Sequence, residues 1–219
     1  MLPKSTRWVL RAIPARFFPR WMHANIELRT AYLNQAIAVE LERSRSAGYA
    51  NIRMIVLGGG YDARPVKLLA ERQIDQAWEF DLPTVAKYKG KLIEKKSMLP
   101  KEDISKIDCI GIDLNDPEKL RSSLTTMIGN DVNAWHTIII SEALFLYLQP
   151  GVPEQLLDVC RDIFSEASLS FCFADKLANI APDDRKAGEE WFAKIGWTLI
   201  DWIPKEGATR HMGVARPFR

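Results

Sequence analysis

The sequence predicts an α/β protein: a mostly parallel seven-stranded sheet with helices on both faces, closed by a C-terminal antiparallel hairpin. Three observations lead there. Five short apolar runs alternate with helical segments along the chain. The first run breaks at three consecutive glycines that open directly into a helix. The last two runs are joined by too few residues for a crossover helix, so they must pair antiparallel.

Taken in order, residues 7–20 mix large apolar side chains with arginines, and Pro14 and Pro19 divide them into two short helices. A stronger helix follows over 24–47, with Leu33, Ile37 and Leu41 on its apolar side and Arg29, Thr30 and Asn34 in its first turns. The first strand is 54–57, turned by Gly58, Gly59 and Gly60 into a helix over 65–72. The second, 77–80, ends at Asp81, and Pro83 opens a helix to 96, since proline is tolerated in a first turn. Lys87, Lys89, Lys91, Lys95 and Lys96 on that helix read as a solvated face, because only Tyr88 accompanies them as a stacking residue. The third strand, 107–112, ends at Asp113, and the turn Asn115-Asp-Pro-Glu118 leads into a helix over 119–127. The fourth, 135–140, is rich in β-branched residues and ends at Ser141-Glu142, before a helix over 154–164. The fifth is 169–173, and a helix over 183–195 stops at Gly196. Strands 197–203 and 209–214 form the hairpin around a turn at 204–207.

A length of 219 residues suits one domain with a small appendage, here 1–48 as an N-terminal helical cover and lead-in helix and 49–219 as the main domain. A net charge of +2 does not mark a nucleic-acid binder. The charge is uneven, however: Lys4, Arg7, Arg11, Arg16 and Arg20 stand in the first 26 residues with no acid, which leaves the remainder at −3. Such a composition also suits an organelle-targeting peptide, but Pro3, Pro14 and Pro19 interrupt the helix a targeting peptide needs. Trp8, Phe17, Phe18 and Trp21 favour a cover that belongs to the fold. Cys109, Cys160 and Cys172 are widely spaced, with neither zinc nor redox spacing, and read as reduced core residues of an intracellular, cytoplasmic protein. No run is long enough to cross a membrane, and no metal site is expected.

Ligands of such sheets bind beyond the carboxyl ends of the strands, and four of those ends carry Gly58 to Gly60, Asp81, Asp113 and Glu142. Glycines let a ligand approach the main chain, and the amides of the next helix favour an anionic group. Asp81 suits a ribose diol, which NAD and S-adenosylmethionine share. Asp113 suits an adenine amino group. Glu142 suits an ammonium, which a dinucleotide lacks.

The motifs resemble those of the class I S-adenosylmethionine-dependent methyltransferases, and more narrowly the leucine carboxyl methyltransferase family. Leu57-Gly-Gly-Gly-Tyr-Asp-Ala-Arg64 is similar to the family's Leu-Gly-Ala-Gly-x-Asp-Thr-Arg. Glu79-Phe-Asp-Leu-Pro83 with Lys89 resembles its Glu-Val-Asp-Phe-Pro followed by a lysine. Asp113-Leu-Asn-Asp116 resembles Asp-Leu-Arg-Asp, and Ser141-Glu-Ala-x-x-x-Tyr-Leu148 its Glu-x-x-x-x-Tyr-Leu. The likeness runs over about residues 20–150 and beyond that holds only in topology. It implies a Rossmann-like fold and S-adenosyl-L-methionine as cofactor. Arg29 would then lie at the cofactor carboxylate, Gly58 beside its methionine part with Gly59 and Gly60 also binding the cofactor, and Asp81 on ribose. Asp113 and Leu114 would surround adenine, Leu82 would also bind the cofactor, Glu142 would lie near the amino group, and Asp62 and Arg64 would brace the loop. His23, Arg64 and Tyr147 are the residues offered to an acceptor, and no catalytic residue is singled out.

Relative to the family, Gly59 replaces alanine, Ala63 threonine and Leu82 phenylalanine. The chain is also shorter in the segment 174–182, where structure capping the substrate is expected. The expected function is O-methylation of a carboxylate or hydroxyl of a small molecule. The alternatives are a protein carboxyl terminus or a tRNA as acceptor, a methyltransferase-like domain that binds a protein without turnover, and an NAD-binding oxidoreductase.

Overall fold

A computed structural model describes residues 20–96, 99–128, 135–164, 168–203 and 210–218. The expected helices within 7–19 and the turn at 204–207 lie outside the described residues. The strands are β1 (Asn51–Leu57), β2 (Gln76–Asp81), β3 (Ile107–Gly111), β4 (Trp135–Glu142), β5 (Ser168–Asp175), β6 (Trp197–Trp202) and β7 (His211–Pro217). The α-helices are α1 (Arg20–Ser46), α2 (Arg64–Ala70), α3 (Pro83–Lys96), α4 (Pro117–Ile128), α5 (Val152–Ile163) and α6 (Arg185–Lys194). The sheet order is β3-β2-β1-β4-β5-β7-β6, with β7 antiparallel to both neighbours and the other pairs parallel. This is the Rossmann-like, mostly parallel seven-stranded sheet with a terminal hairpin that the alternation of runs implied.

Two cores lie on the two faces, and the period of two along each strand divides the side chains between them. Ile55, Leu57, Ile139, Phe171 and Phe173 join α4, α5 and α6 through Leu120, Leu156 and Phe192. Met54, Val56, Ile138, Ile140 and Cys172 join α1, α2 and α3 through Leu33, Leu69 and Ile93. Phe171 and Phe173 stack with ring centroids 5.2 Å apart at the centre of the first core.

Several boundaries move, each for a physical reason. β1 starts at Asn51 rather than 54, because polar Arg53 is concealed: its guanidinium lies 4.1 Å over the Trp78 ring and 4.6 Å over Trp135. β5 runs to Asp175, which is buried. β7 continues to Pro217 because Val214 and Ala215 are buried against β5. A 3-10 helix at Lys101–Lys106, short and highly charged, gave no periodic signal. Lys89 is not on the solvated face of α3: it shares the helix spacing of Ala86 and Ile93 and is 6% exposed, facing the sheet.

α1 is fastened by charge as well as by apolar packing. Glu40, 1% exposed, receives Arg216 Nη2 of β7 at 2.6 Å and Arg43 Nε at 3.0 Å. Burial alone would raise the Glu40 pKa, but Arg216 and Arg43 outweigh it and hold the carboxyl below its ordinary value. Tyr32 donates from its hydroxyl to Asp201 of β6 at 2.9 Å. The helix that carries Arg29 is thus anchored to the far half of the sheet.

Candidate functional site

The register of the parallel strands brings the chosen residues to one edge. Leu57 pairs with Phe80 and with Ser141, and Asp81 pairs with Gly111. The glycine turn, Asp81, Asp113 and Glu142 therefore stand side by side at the carboxyl ends of β1 to β4, where open α/β sheets hold their ligands.

The turn is fixed atom by atom. Gly58 N and Gly59 N donate to Phe80 O at 2.8 and 3.2 Å, and Gly60 N donates to Asp81 Oδ2 at 2.7 Å. Gly58 has φ +70°, and a Cβ there would come within 3.0 Å of Leu144 Cδ1. A larger residue would meet both a strained backbone and the loop after β4. Lys89 Nζ donates to Gly59 O at 3.0 Å and pairs with Glu79, directly beneath the turn. Burial pushes the Glu79 carboxyl up to about 7 against the opposing pull of Lys89.

Above the turn runs a chain of charges. Arg29 Nε on α1 donates to Glu142 Oε1 at 2.6 Å. Arg64 at the start of α2 reaches Glu142 Oε2 with Nη2 and holds Asp62 through Nε at 2.9 and 2.8 Å. Burial disfavours the Arg64 charge, yet Asp62 and Glu142 outweigh it and raise the pKa of the guanidinium. Asp62 and Arg64 thus form the brace read from the sequence, and its extension to Glu142, 78 residues away, carried no local signal.

Beside this chain a cavity of about 640 Å³ opens between α1 and α2. Arg29, Asn34, Gly60, Tyr61, Arg64 and Glu142 are among its lining residues. Tyr61 is largely exposed and meets Tyr88 edge-on at 6.2 Å. Asp113 is exposed and accepts from Asn115 N at 2.9 Å, Leu82 is half exposed, and Leu114 is buried in the first core. Tyr147 is 74% exposed on a 3-10 turn and does not line the cavity. His23 lies within α1, but its side chain is outside those described.

Asp175 was missed, although an acid at the end of β5 follows the same rule as the others. Its carboxylate accepts from Ser141 Oγ at 2.7 Å, Leu144 N at 2.9 Å, Phe145 N at 2.8 Å and Lys176 N at 3.0 Å. Burial raises its pKa against these bonds. It shapes the loop after β4, in which Ala143 takes the left-handed φ of +55° that non-glycine residues seldom adopt.

The residues fit an S-adenosylmethionine-like ligand. Arg29 and Glu142 form a cation–anion pair of the kind that matches an amino-acid zwitterion. Each Asp81 oxygen accepts one backbone amide and keeps a lone pair for a diol. Among the described residues no cluster of three His, Cys, Asp or Glu could hold a metal, and no helix is long and apolar enough to cross a membrane.

In fold the chain is similar to solved methyltransferases. It matches the methyltransferase domain of bacterial CtHen1 with a TM-score of 0.55 at 17% identity, over 84% of this chain and 96% of that one. It matches RosA, the N,N-8-amino-8-demethyl-D-riboflavin dimethyltransferase of Streptomyces davawensis, with a TM-score of 0.56 at 12% identity, over 88% and 55% of the two chains. Magnesium protoporphyrin IX methyltransferase (ChlM) of Synechocystis PCC 6803, with bound S-adenosylmethionine, aligns with a TM-score of 0.54 at 8% identity, over 87% and 81%. No curated protein matches the sequence. The class defined by fold and site is the class I S-adenosylmethionine-dependent methyltransferases. A family model, Leucine carboxyl methyltransferase, matches residues 7–161, and the chain belongs to that family. It is an enzyme whose cofactor is S-adenosyl-L-methionine.

Proposed function

We propose that the chain transfers the cofactor's methyl group to a carboxylate of a small molecule, with a hydroxyl as the second choice of acceptor. The observation that carries this reading is the Arg29–Glu142 pair facing a cavity beside the glycine turn. In this proposal Arg29 takes the cofactor carboxylate and Glu142 its ammonium. Gly58, Gly59 and Gly60 support the methionine part, Asp81 accepts from the ribose diol, and Leu82, Asp113 and Leu114 surround adenine. Arg64, occupied by Asp62 and Glu142, positions Glu142, while His23 and Tyr147 remain the residues offered to the acceptor.

The cofactor supplies an electrophilic methyl on a sulfonium, and the protein supplies orientation and exclusion of water. A carboxylate acceptor arrives ionised and needs no base. That agrees with a cavity lining that, among the described residues, contains neither histidine nor cysteine. The link between β5 and α6, residues 176–184, holds turns only, which supports a small acceptor over a protein carboxyl terminus.

Two measurements test the reading. Calorimetry should show binding of S-adenosylhomocysteine and not of NAD, and tighter binding of NAD would sink the cofactor placement. Radiolabelled methyl transfer to small-molecule, protein and tRNA extracts should label the small-molecule fraction. Release of the label as methanol in mild alkali would mark a methyl ester, and an alkali-stable label a hydroxyl acceptor. Label confined to protein or RNA would overturn the proposed acceptor class.

A further inference from the structure

Directly under the glycine turn lies an ion pair that touches no part of the cavity. Glu79 of β2 is 2% exposed and Lys89 of α3 is 6% exposed, and neither lines the cavity. Lys89 Nζ is shared between the Glu79 carboxylate and the Gly59 carbonyl, the latter at 3.0 Å. The same carbonyl accepts from Asp62 N at 2.9 Å, so one oxygen ties the turn both to the pair below and to the Asp62–Arg64 brace above. A Cβ on Gly59 would collide with Glu79, which shows how closely the backbone rests on the pair. Among the described residues Glu79 Oε1 has no hydrogen-bond partner. A buried carboxylate with an unpartnered oxygen is costly while charged and can lower that cost by taking a proton.

We propose that Glu79 and Lys89 are positioning residues that set cofactor affinity from beneath the turn, and that protonation of Glu79 releases the turn. The proposal rests on the reading that the turn holds the cofactor. With Glu79 ionised, Lys89 is held upright and keeps the Gly59 carbonyl, the Gly60 amide and Asp81 in one arrangement. With Glu79 neutral, the ammonium loses its counter-charge and its hold on the carbonyl weakens.

The groups facing Glu79 are Lys89 on α3, Cys109 opposite it on β3, Asp62 in the loop and Asp81 at the end of its own strand. Burial pushes the Cys109 thiol up to about 11, so it stays neutral, and both aspartates disfavour the Glu79 charge. Burial places Glu79 at about 7, within the range a binding experiment can cover. Burial lowers His136 to about 4, away from that range, and shifts His211 in the same direction.

The test is the affinity of the full chain for S-adenosylhomocysteine between pH 6 and 8, for the wild type, Glu79→Gln and Lys89→Met. Wild-type affinity should fall several-fold on going from pH 8 to pH 6, and Glu79→Gln should be flat once the ligand's own titration, common to all three proteins, is subtracted. Lys89→Met should bind about tenfold more weakly at pH 8, as expected for loss of a charge-assisted hydrogen bond. Melting temperatures of each variant accompany the titrations. A purely structural pair would lower the melting temperature and leave the pH profile of binding unchanged. Parallel pH profiles in wild type and Glu79→Gln would overturn the proposal even if Lys89→Met failed to fold. So would wild-type affinity in a folded Lys89→Met. No binding by the wild type at any pH would instead overturn the cofactor placement on which the proposal stands.

Discussion

Asp81 carries two loads at once. Its Oδ2 accepts from Gly60 N and its Oδ1 from Leu82 N, both at 2.7 Å, so it shapes the turn besides the ribose contact proposed for it. Asp81→Ala should weaken cofactor binding by about 1.5–3 kcal/mol, through loss of charged hydrogen bonds and of the Gly60 tether. Asp62 makes its bonds to Arg64, so Asp62→Ala should lower the melting temperature and change affinity less. Calorimetric titration and thermal melts on both variants separate these roles. Unchanged affinity in Asp81→Ala would remove that residue from the site.

Among elements, α1 shows why hydrophobic pattern alone undersells a contact. Its carboxylate anchor, Glu40, looked like any polar residue of an amphipathic helix, and its partner Arg216 lies 176 positions away. Glu40→Ala leaves Arg43 and Arg216 without their anion, but both are about 30% exposed and can regain water. The expected loss is therefore about 2–3 kcal/mol, below the usual cost of breaking a fully buried pair, and urea unfolding will measure it. The strands were legible because five of them are short, largely apolar runs between helical segments, and the strand-end positions of Gly58, Asp81 and Glu142 followed from where those runs stop. Asp175 stayed hidden because its strand was ended at Phe173, two residues short. Lys89 reads as solvated because four other lysines on the same helix mask its spacing with Ala86 and Ile93. The Arg29–Glu142–Arg64 contacts join residues 113 and 78 positions apart, and no local pattern encodes such a meeting.

For the molecule as a whole, His136 and Glu79 should contribute opposing pH dependences of stability. His136 is fully buried between Ser168 Oγ at 2.7 Å and Ser170 Oγ at 3.2 Å, and burial lowers its pKa from 6.5 to about 4. Between those values the unfolded chain binds a proton that the native one does not, so stability falls as the pH drops from 6.5 toward 4. The shift corresponds to a few kcal/mol, about 1.4 per pH unit. Glu79 runs the other way: its pKa is raised from 4.5 to about 7, so over that interval the native state holds the extra proton and stability falls as the pH rises. The two slopes overlap from about pH 4.5 to 6.5 and offset each other, with His211 adding to the first and Asp175 to the second, so the wild type should show a weaker slope there than either group alone would give. Below that interval, Glu40, whose pKa is lowered in the fold, contributes a further loss as acid protonates it. Each slope can be exposed by removing the other. Glu79→Gln should leave stability rising with pH across the interval, and His136→Gln should leave it falling, whatever each substitution does to the absolute level. Urea unfolding of the three proteins at pH 5 and pH 6.5 reads the slopes directly. If both variants keep the wild-type slope, neither group titrates where its burial places it, and the proton-controlled release of the glycine turn loses its physical basis as well.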